Sequence, residues 1–157
     1  MIKENESMRT VCSCPCGETK ISFSGDPLLR VHCHCRICQA VYDAPFADFV
    51  IMRSQQITKP LDPAIQFRKH RSPPAVNRGV CRSCNRPVVA FLPLAPFFGM
   101  SFVPTANLPA GARSLEPCMR TFYDRRIEDV HDSLPKVRGY WASQWAVSRR
   151  FLPGLWS

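Results

Sequence analysis

The sequence lacks any long hydrophobic segment. Its most apolar run, Val88 to Val103, is interrupted by Pro93 and Pro96 and is shorter than the roughly 20 residues that a membrane-spanning helix needs. Residues 1–10 alternate charged and polar side chains and lack the apolar centre of a secretory signal. These absences predict a cytoplasmic protein without membrane contact, whose residues 1–10 form a flexible tail.

Acidic residues are missing from the segment 63–115, although seven lysines and arginines lie there. They are Arg68, Lys69, Arg71, Arg78, Arg82, Arg86 and Arg113. Together with a formal net charge of +9 for the chain, this basic middle segment indicates an anionic partner. Nucleic acid is a weaker candidate for that partner, because no pattern of alternating aromatic and arginine residues recurs.

Proline is abundant, with 15 among 157 residues, and this excludes a helical bundle, because each proline removes a backbone donor. Short strands joined by turns tolerate such a composition. The length suits one domain. We therefore expect a mostly β domain over residues 11–140 with few short helices, followed by a C-terminal extension over residues 141–157.

Alternating apolar residues bounded by proline and glycine predict a series of short strands. These are Thr19–Ser24, Leu28–His32, Phe46–Met52, Ile65–Lys69, Ala75–Val80, Pro87–Leu92, Phe97–Val103 and a last pair, Arg120–Tyr123 with Arg126–Val130. Pro87–Leu92 and Phe97–Val103 are expected to pair as a hairpin, and Gln39–Tyr42 to form a helical turn. Periodicity is weak after Leu134, where Trp141, Trp145 and Trp156 lie.

Seven of the nine cysteines fall into three closely spaced sets. The sets are Cys14 with Cys16, Cys33 with Cys35 and Cys38, and Cys81 with Cys84. In a reducing compartment such sets are typical of metal sites rather than of disulfides. An iron–sulfur or redox protein is a weaker interpretation, because the sets divide into four and three ligands.

Cys14, Cys16, Cys81 and Cys84 supply the four soft ligands of a tetrahedral zinc site. Two half-sites from distant parts of the chain would complete one closed site. Such a site would join the beginning of the domain to its middle and would contribute directly to folding stability.

Cys33, Cys35 and Cys38 offer three thiolates within six residues, so that a zinc ion there would keep one position for a water, thiol or oxygen ligand. A site of this kind can be catalytic. Two alternatives remain open. One of Cys12, Cys118, His32 and His34 could supply a fourth ligand, or the cysteines could be metal-free core residues. Arg36, Arg82 and Arg86 lie inside or beside the cysteine sets, where a cation would lower the thiol pKa.

Three motifs in this order resemble the glutathione-dependent formaldehyde-activating enzyme family, also called the centromere-protein-V-like family. They are Cys14-Pro15-Cys16-Gly17, Cys33-His34-Cys35-Arg36-Ile37-Cys38 and Gly79-Val80-Cys81-Arg82-Ser83-Cys84. The resemblance extends through Phe122–Arg126 and Asp129–Lys136, which look like the family's closing strands. The chain has Asn85 where relatives usually have glycine, and Arg120 where many have histidine.

The resemblance implies a zinc-stapled β-sheet domain of the Mss4-like type. In it, Cys14, Cys16, Cys81 and Cys84 would bind the structural zinc ion, while Cys33, Cys35 and Cys38 would bind the functional one. It also implies a carbon–sulfur lyase-type enzyme that acts on an adduct of an aldehyde with glutathione or another thiol. The alternative is a zinc-stapled, non-catalytic module that contacts nucleic acid or another acidic partner through its basic middle segment.

Overall fold

The computed structural model describes residues 9–71, 75–95, 98–112 and 115–155. Within these ranges the chain is mostly β. The strands are β1 (Thr10–Ser13), β2 (Lys20–Phe23), β3 (Leu29–Cys33), β4 (Ala47–Arg53), β5 (Ile65–Lys69), β6 (Asn77–Cys81), β7 (Pro87–Ala95), β8 (Phe98–Pro104) and β9 (Arg120–Thr121). The α-helices are α1 (Arg36–Tyr42) and α2 (Tyr140–Phe151).

The strands form two sheets. β1 and β2 make a small antiparallel sheet, and the other strands make a larger one in the order β5-β6-β7-β8-β4-β3-β9. Neighbouring strands of the larger sheet are antiparallel, except that β9 runs parallel to β3. The predicted hairpin of β7 and β8 is confirmed.

The centre of the larger sheet is buried on both faces. Along β4, Val50 and Met52 belong to one apolar core, whereas Phe49 and Ile51 belong to another, because successive side chains of a strand point to opposite faces. β4 therefore reads as a nearly continuous apolar run. The first core includes Cys14 and Cys81 and the second includes Cys33 and Cys38, so that each cysteine cluster adjoins its own core.

The predicted mostly β class and seven of the predicted strands are confirmed, with shifts of a few residues at their ends. The predicted tail lies mainly outside the described residues, and Thr10 begins β1. Ser72, Pro73, Pro74, Arg113 and Trp156 are also outside them.

The predicted last strand pair is wrong. Arg120–Thr121 is a two-residue strand that pairs with β3, and residues 126–130 contain no strand. Ile127, which lies within the predicted strand, is 68% exposed. Arg126 bonds the carboxylate of Asp129 three residues later, a local pairing that suits an irregular loop.

The segment predicted as a C-terminal extension contains α2, which packs against the second core. Ser143, Ala146 and Phe151 are buried, and Ala146 and Phe151 belong to that core. None of the described helices is both long enough and apolar enough to span a membrane.

Candidate metal centres and the adjoining cavity

The first cysteine cluster forms where two tight turns meet. Cys14 and Cys16 lie between β1 and β2, while Cys81 ends β6 and Cys84 follows in the next turn. The four sulfurs lie within 4.8 Å of one another. The sulfur of Cys16 lies 3.3 Å from that of Cys14 and 3.7 Å from that of Cys81, and four thiolates around a tetrahedral zinc ion lie about 3.8 Å apart.

Left-handed backbone conformations close both turns. Gly17 has a φ of 78° and Asn85 has a φ of 58°, a region that glycine enters freely and asparagine tolerates better than most residues. Asn85 therefore keeps the turn intact at a position where relatives in the family named above usually have glycine. Its backbone N–H donates to the carbonyl of Cys81 at 2.8 Å.

Thr19 stabilises this cluster from within the core. Its hydroxyl donates to Cys81 Sγ at 2.9 Å and its backbone N–H to Cys14 Sγ at 3.4 Å. Burial raises the pKa of Cys81, but hydrogen bonds from Thr19 and from the turn amides lower it to about 6. The thiolate form that zinc requires is thus favoured. Sequence reasoning missed Thr19, because a threonine before a strand carries no metal-site signal.

The second cluster forms where a strand passes into a helix. Cys33 ends β3, Cys35 caps the N-terminus of α1, and Cys38 lies in the first turn of α1. The backbone N–H of Cys38 donates to Cys35 Sγ at 3.3 Å. The three sulfurs lie within 4.8 Å of one another, so the local geometry alone gathers three ligands.

The thiols of the second cluster shift one another's pKa. Hydrogen bonds from Cys33 and Cys38 lower the pKa of Cys35 to about 3. Hydrogen bonds with Cys35 and Cys38, together with burial, raise the pKa of Cys33 well above its ordinary value. The cluster therefore accommodates one thiolate, at Cys35, whereas ionisation of the other two thiols would place like charges close together. A divalent cation removes that repulsion, and a set of three soft sulfurs fits zinc.

The alternative fourth ligands lie elsewhere. Among the described residues, neither histidine nor either remaining cysteine joins the three-sulfur cluster. His34 Nε2 accepts a hydrogen bond from Arg120 Nη1 at 3.1 Å, and His32 Nε2 lies 3.4 Å from Asp48 Oδ1. Cys12 packs in the first core, and Cys118 contacts the second.

Arg120 is buried and contacts side chains that hold the fold together. Its guanidinium donates to Asp132 Oδ2 from Nε at 2.9 Å and from Nη2 at 2.7 Å. It also lies 4.7 Å from the ring centre of Phe46. Arg120 thus links β9 to the loop of Asp132 and orients His34, immediately beside the cysteines.

A cavity of about 500 Å³ adjoins the second cluster, a size within the range of about 300–1,000 Å³ for small-molecule sites. Cys33, Cys35 and Cys38 lie in its wall. Most of the remaining wall is apolar, including Phe49, Met100, Phe102 and Phe122. No carboxylate lies among its lining residues in the described part of the chain.

Two arginines supply the positive charge of this cavity. Arg78 Nη2 lies 3.9 Å from Cys38 Sγ, and Arg71 lies over the ring of Tyr140 at 5.1 Å. Both arginines belong to the basic middle segment, but the sequence alone did not predict that they lie beside the cysteines of the second cluster. By contrast, Arg36 and Arg82, which adjoin cysteines in the sequence, are exposed. Part of the basic segment thus faces the candidate site.

A mostly β domain with two cysteine clusters that can bind zinc, one of them beside a cavity, fits the class of small zinc-binding proteins. The family model described as the glutathione-dependent formaldehyde-activating enzyme matches residues 9–125, and the chain belongs to this family. Membership connects the protein to glutathione-related and aldehyde-related activity. A comparison with curated proteins found no match.

Proposed function

We propose that the protein is a carbon–sulfur lyase-type enzyme that makes or breaks the adduct of an aldehyde with glutathione. It binds two zinc ions. Cys14, Cys16, Cys81 and Cys84 hold the structural ion, and Cys33, Cys35 and Cys38 hold the functional ion. The observation that carries the proposal is the position of the three-sulfur cluster in the wall of a cavity that is large enough for an organic ligand.

The reaction balances without an oxidant or reductant. In the forward direction the glutathione sulfur adds to the aldehyde carbon, a carbon–sulfur bond forms, and the thiol proton ends on the former carbonyl oxygen. In reverse, the carbon–sulfur bond breaks and the hydroxyl proton returns to sulfur. Cys33, Cys35 and Cys38 would hold a zinc ion that would supply a Lewis acid for negative charge developing on sulfur or oxygen.

The residues around the cluster bind and orient the adduct. Arg78 places a guanidinium beside Cys38, and Arg71 holds a second one on the same cavity. Both can receive a carboxylate of glutathione, because arginine binds carboxylates through paired hydrogen bonds. The apolar wall keeps water from the reacting atoms, which strengthens these electrostatic interactions.

The enzyme is tested by exchange spectroscopy with glutathione and formaldehyde. Magnetisation exchange between free glutathione and S-hydroxymethylglutathione is measured with and without the zinc-loaded protein. The proposal predicts faster exchange with the wild type and none beyond the uncatalysed rate with Cys38→Ser. Cys118→Ser is the matched control, because Cys118 lies outside both clusters, and it should retain the acceleration. A wild type that does not accelerate exchange with formaldehyde or with larger aldehydes would refute the lyase.

A further inference from the structure

Helix α2 forms one side of the cavity beside the three-sulfur cluster. Tyr140, Trp141, Gln144 and Val147 recur along one side of the helix and line the cavity. The opposite wall is the sheet face that carries Met100 and Phe102. The family match ends at residue 125, so the helical wall lies beyond the matched segment.

The helix is fixed in place by polar bonds to the turn that precedes it in the chain. Ser143 Oγ accepts the backbone N–H of Phe122 at 2.9 Å. Asp124 Oδ1 accepts the backbone N–H of Gly139, just before the helix begins, at 2.6 Å. Phe122 also stacks edge-on against Tyr140, with ring centres 6.0 Å apart. These contacts hold the helical wall of the cavity against Phe122 and Asp124.

Resting on the proposed function, we infer that α2 selects adducts whose aldehyde-derived part is a sizeable hydrocarbon or aromatic group. The adduct of formaldehyde adds one carbon to glutathione and would leave much of the apolar wall facing water. A longer chain would bury that wall and gain free energy for each methylene removed from water. Because Arg71 and Arg78 are the only basic lining residues in the described part of the chain, glutathione carboxylates bind there, and the hydrocarbon lies between α2 and the sheet.

Stable thioethers test this specificity without turnover. Binding of S-methylglutathione and S-hexylglutathione to the zinc-loaded protein is measured by calorimetry. The inference predicts that the hexyl compound binds at least about tenfold more tightly, since several buried methylenes each contribute. Equal affinities would overturn the inference and leave the lyase proposal standing. Failure of both compounds and of glutathione itself to bind would overturn the proposed function as well.

A variant that fills the cavity tests whether α2 causes the tighter binding of the hexyl compound. Gln144→Trp places a large ring in the cavity from a half-buried position, and it should bring the two affinities within about threefold while S-methylglutathione binding persists. Ala142→Trp adds the same side chain at an exposed position outside the cavity lining and should keep the wild-type preference. Trp141 is 81% exposed, so Trp141→Ala should leave the fold intact. It should weaken the binding of S-hexylglutathione but not that of S-methylglutathione. An unchanged preference in both Gln144→Trp and Trp141→Ala would overturn the role of the helix.

Discussion

The hydroxyl of Thr19 donates a hydrogen bond to Cys81 Sγ at 2.9 Å, although 62 residues separate them in the chain. Thr19 is fully buried, so its hydroxyl has no access to water. The bond links the start of β2 to the end of β6 through a sulfur atom of the first cluster. It thereby couples the stability of the fold to the charge state of that sulfur.

Replacement of this hydroxyl should weaken both the fold and the first metal site. Thr19→Val keeps the volume but removes the donor, and we expect the free energy of unfolding to fall by about 1.5–3 kcal/mol, as for other hydrogen bonds to charged groups. Urea unfolding of the zinc-loaded protein measures this. Thr19→Ser retains the hydroxyl and serves as control. If the valine and serine variants unfold alike, the bond to Cys81 does not stabilise the cluster.

The two clusters should differ in what their loss destroys. Cys81→Ser removes a ligand that joins distant parts of the chain, so we expect it to unfold or aggregate. Cys38→Ser removes a ligand from a cluster built within six residues, so we expect it to stay folded but to lose thiol binding. Circular dichroism, zinc content and glutathione calorimetry distinguish them. Equal unfolding of both variants would contradict this division of roles.

Arg78 should matter for the glutathione carboxylates rather than for the fold. We expect Arg78→Gln to weaken glutathione binding by about tenfold, the size expected for a lost charged hydrogen bond. Arg68→Gln is the matched control, because Arg68 pairs with Arg78 in the neighbouring strand but does not line the cavity. Calorimetry at low salt compares them. Equal affinities in the two variants would exclude Arg78 from binding.

Asp48 should make stability depend on pH. Burial raises the pKa of Asp48, but hydrogen bonds from Arg30 and from the hydroxyl of Thr105 hold it well below its usual range. A carboxylate with a depressed pKa stabilises the fold at pH values above its unfolded pKa of about 3.9, and this contribution is lost as the pH falls toward the folded value. We therefore expect the stability difference between wild type and Asp48→Asn to shrink below about pH 4.

Urea unfolding across this range measures the Asp48 effect. Asp26→Asn, at an exposed carboxylate, is the control for the loss of one acidic group at the surface. Because acid also releases zinc from thiolates, the comparison uses the difference between variants at each pH. A difference between wild type and Asp48→Asn that stays constant as the pH falls would mean that Asp48 is not held in its charged form.

Much of the β domain could be predicted from local patterns. Ile65–Lys69 was predicted with the observed bounds, because alternating side chains and flanking prolines fix a short strand. The cysteine sets predicted both clusters. The spacing of Cys33, Cys35 and Cys38 gathers three sulfurs locally, whereas the first cluster also needs the fold to bring its two cysteine pairs together. For the strand and for the three-cysteine set, the signal lies within a few consecutive residues.

Helix α2 and the cavity could not be predicted in this way. The helix buries Ser143 and Ala146 and exposes Trp141 and Trp145, so hydrophobicity does not repeat with the helical period. The helix lines the cavity only because it packs near Phe122 and near strands that are distant in the sequence. Arg78 reaches Cys38 from another strand, 40 residues distant, and no local motif records that approach.

Zinc counting with a mild chelator tests the central claim most directly. The account predicts two zinc ions per chain, of which the one held by Cys33, Cys35 and Cys38 is removed first because it has fewer protein ligands. Glutathione, added before the chelator, should protect that ion by occupying its remaining position. A single zinc ion per chain before chelation, or removal that glutathione does not slow, would contradict an open three-thiolate site.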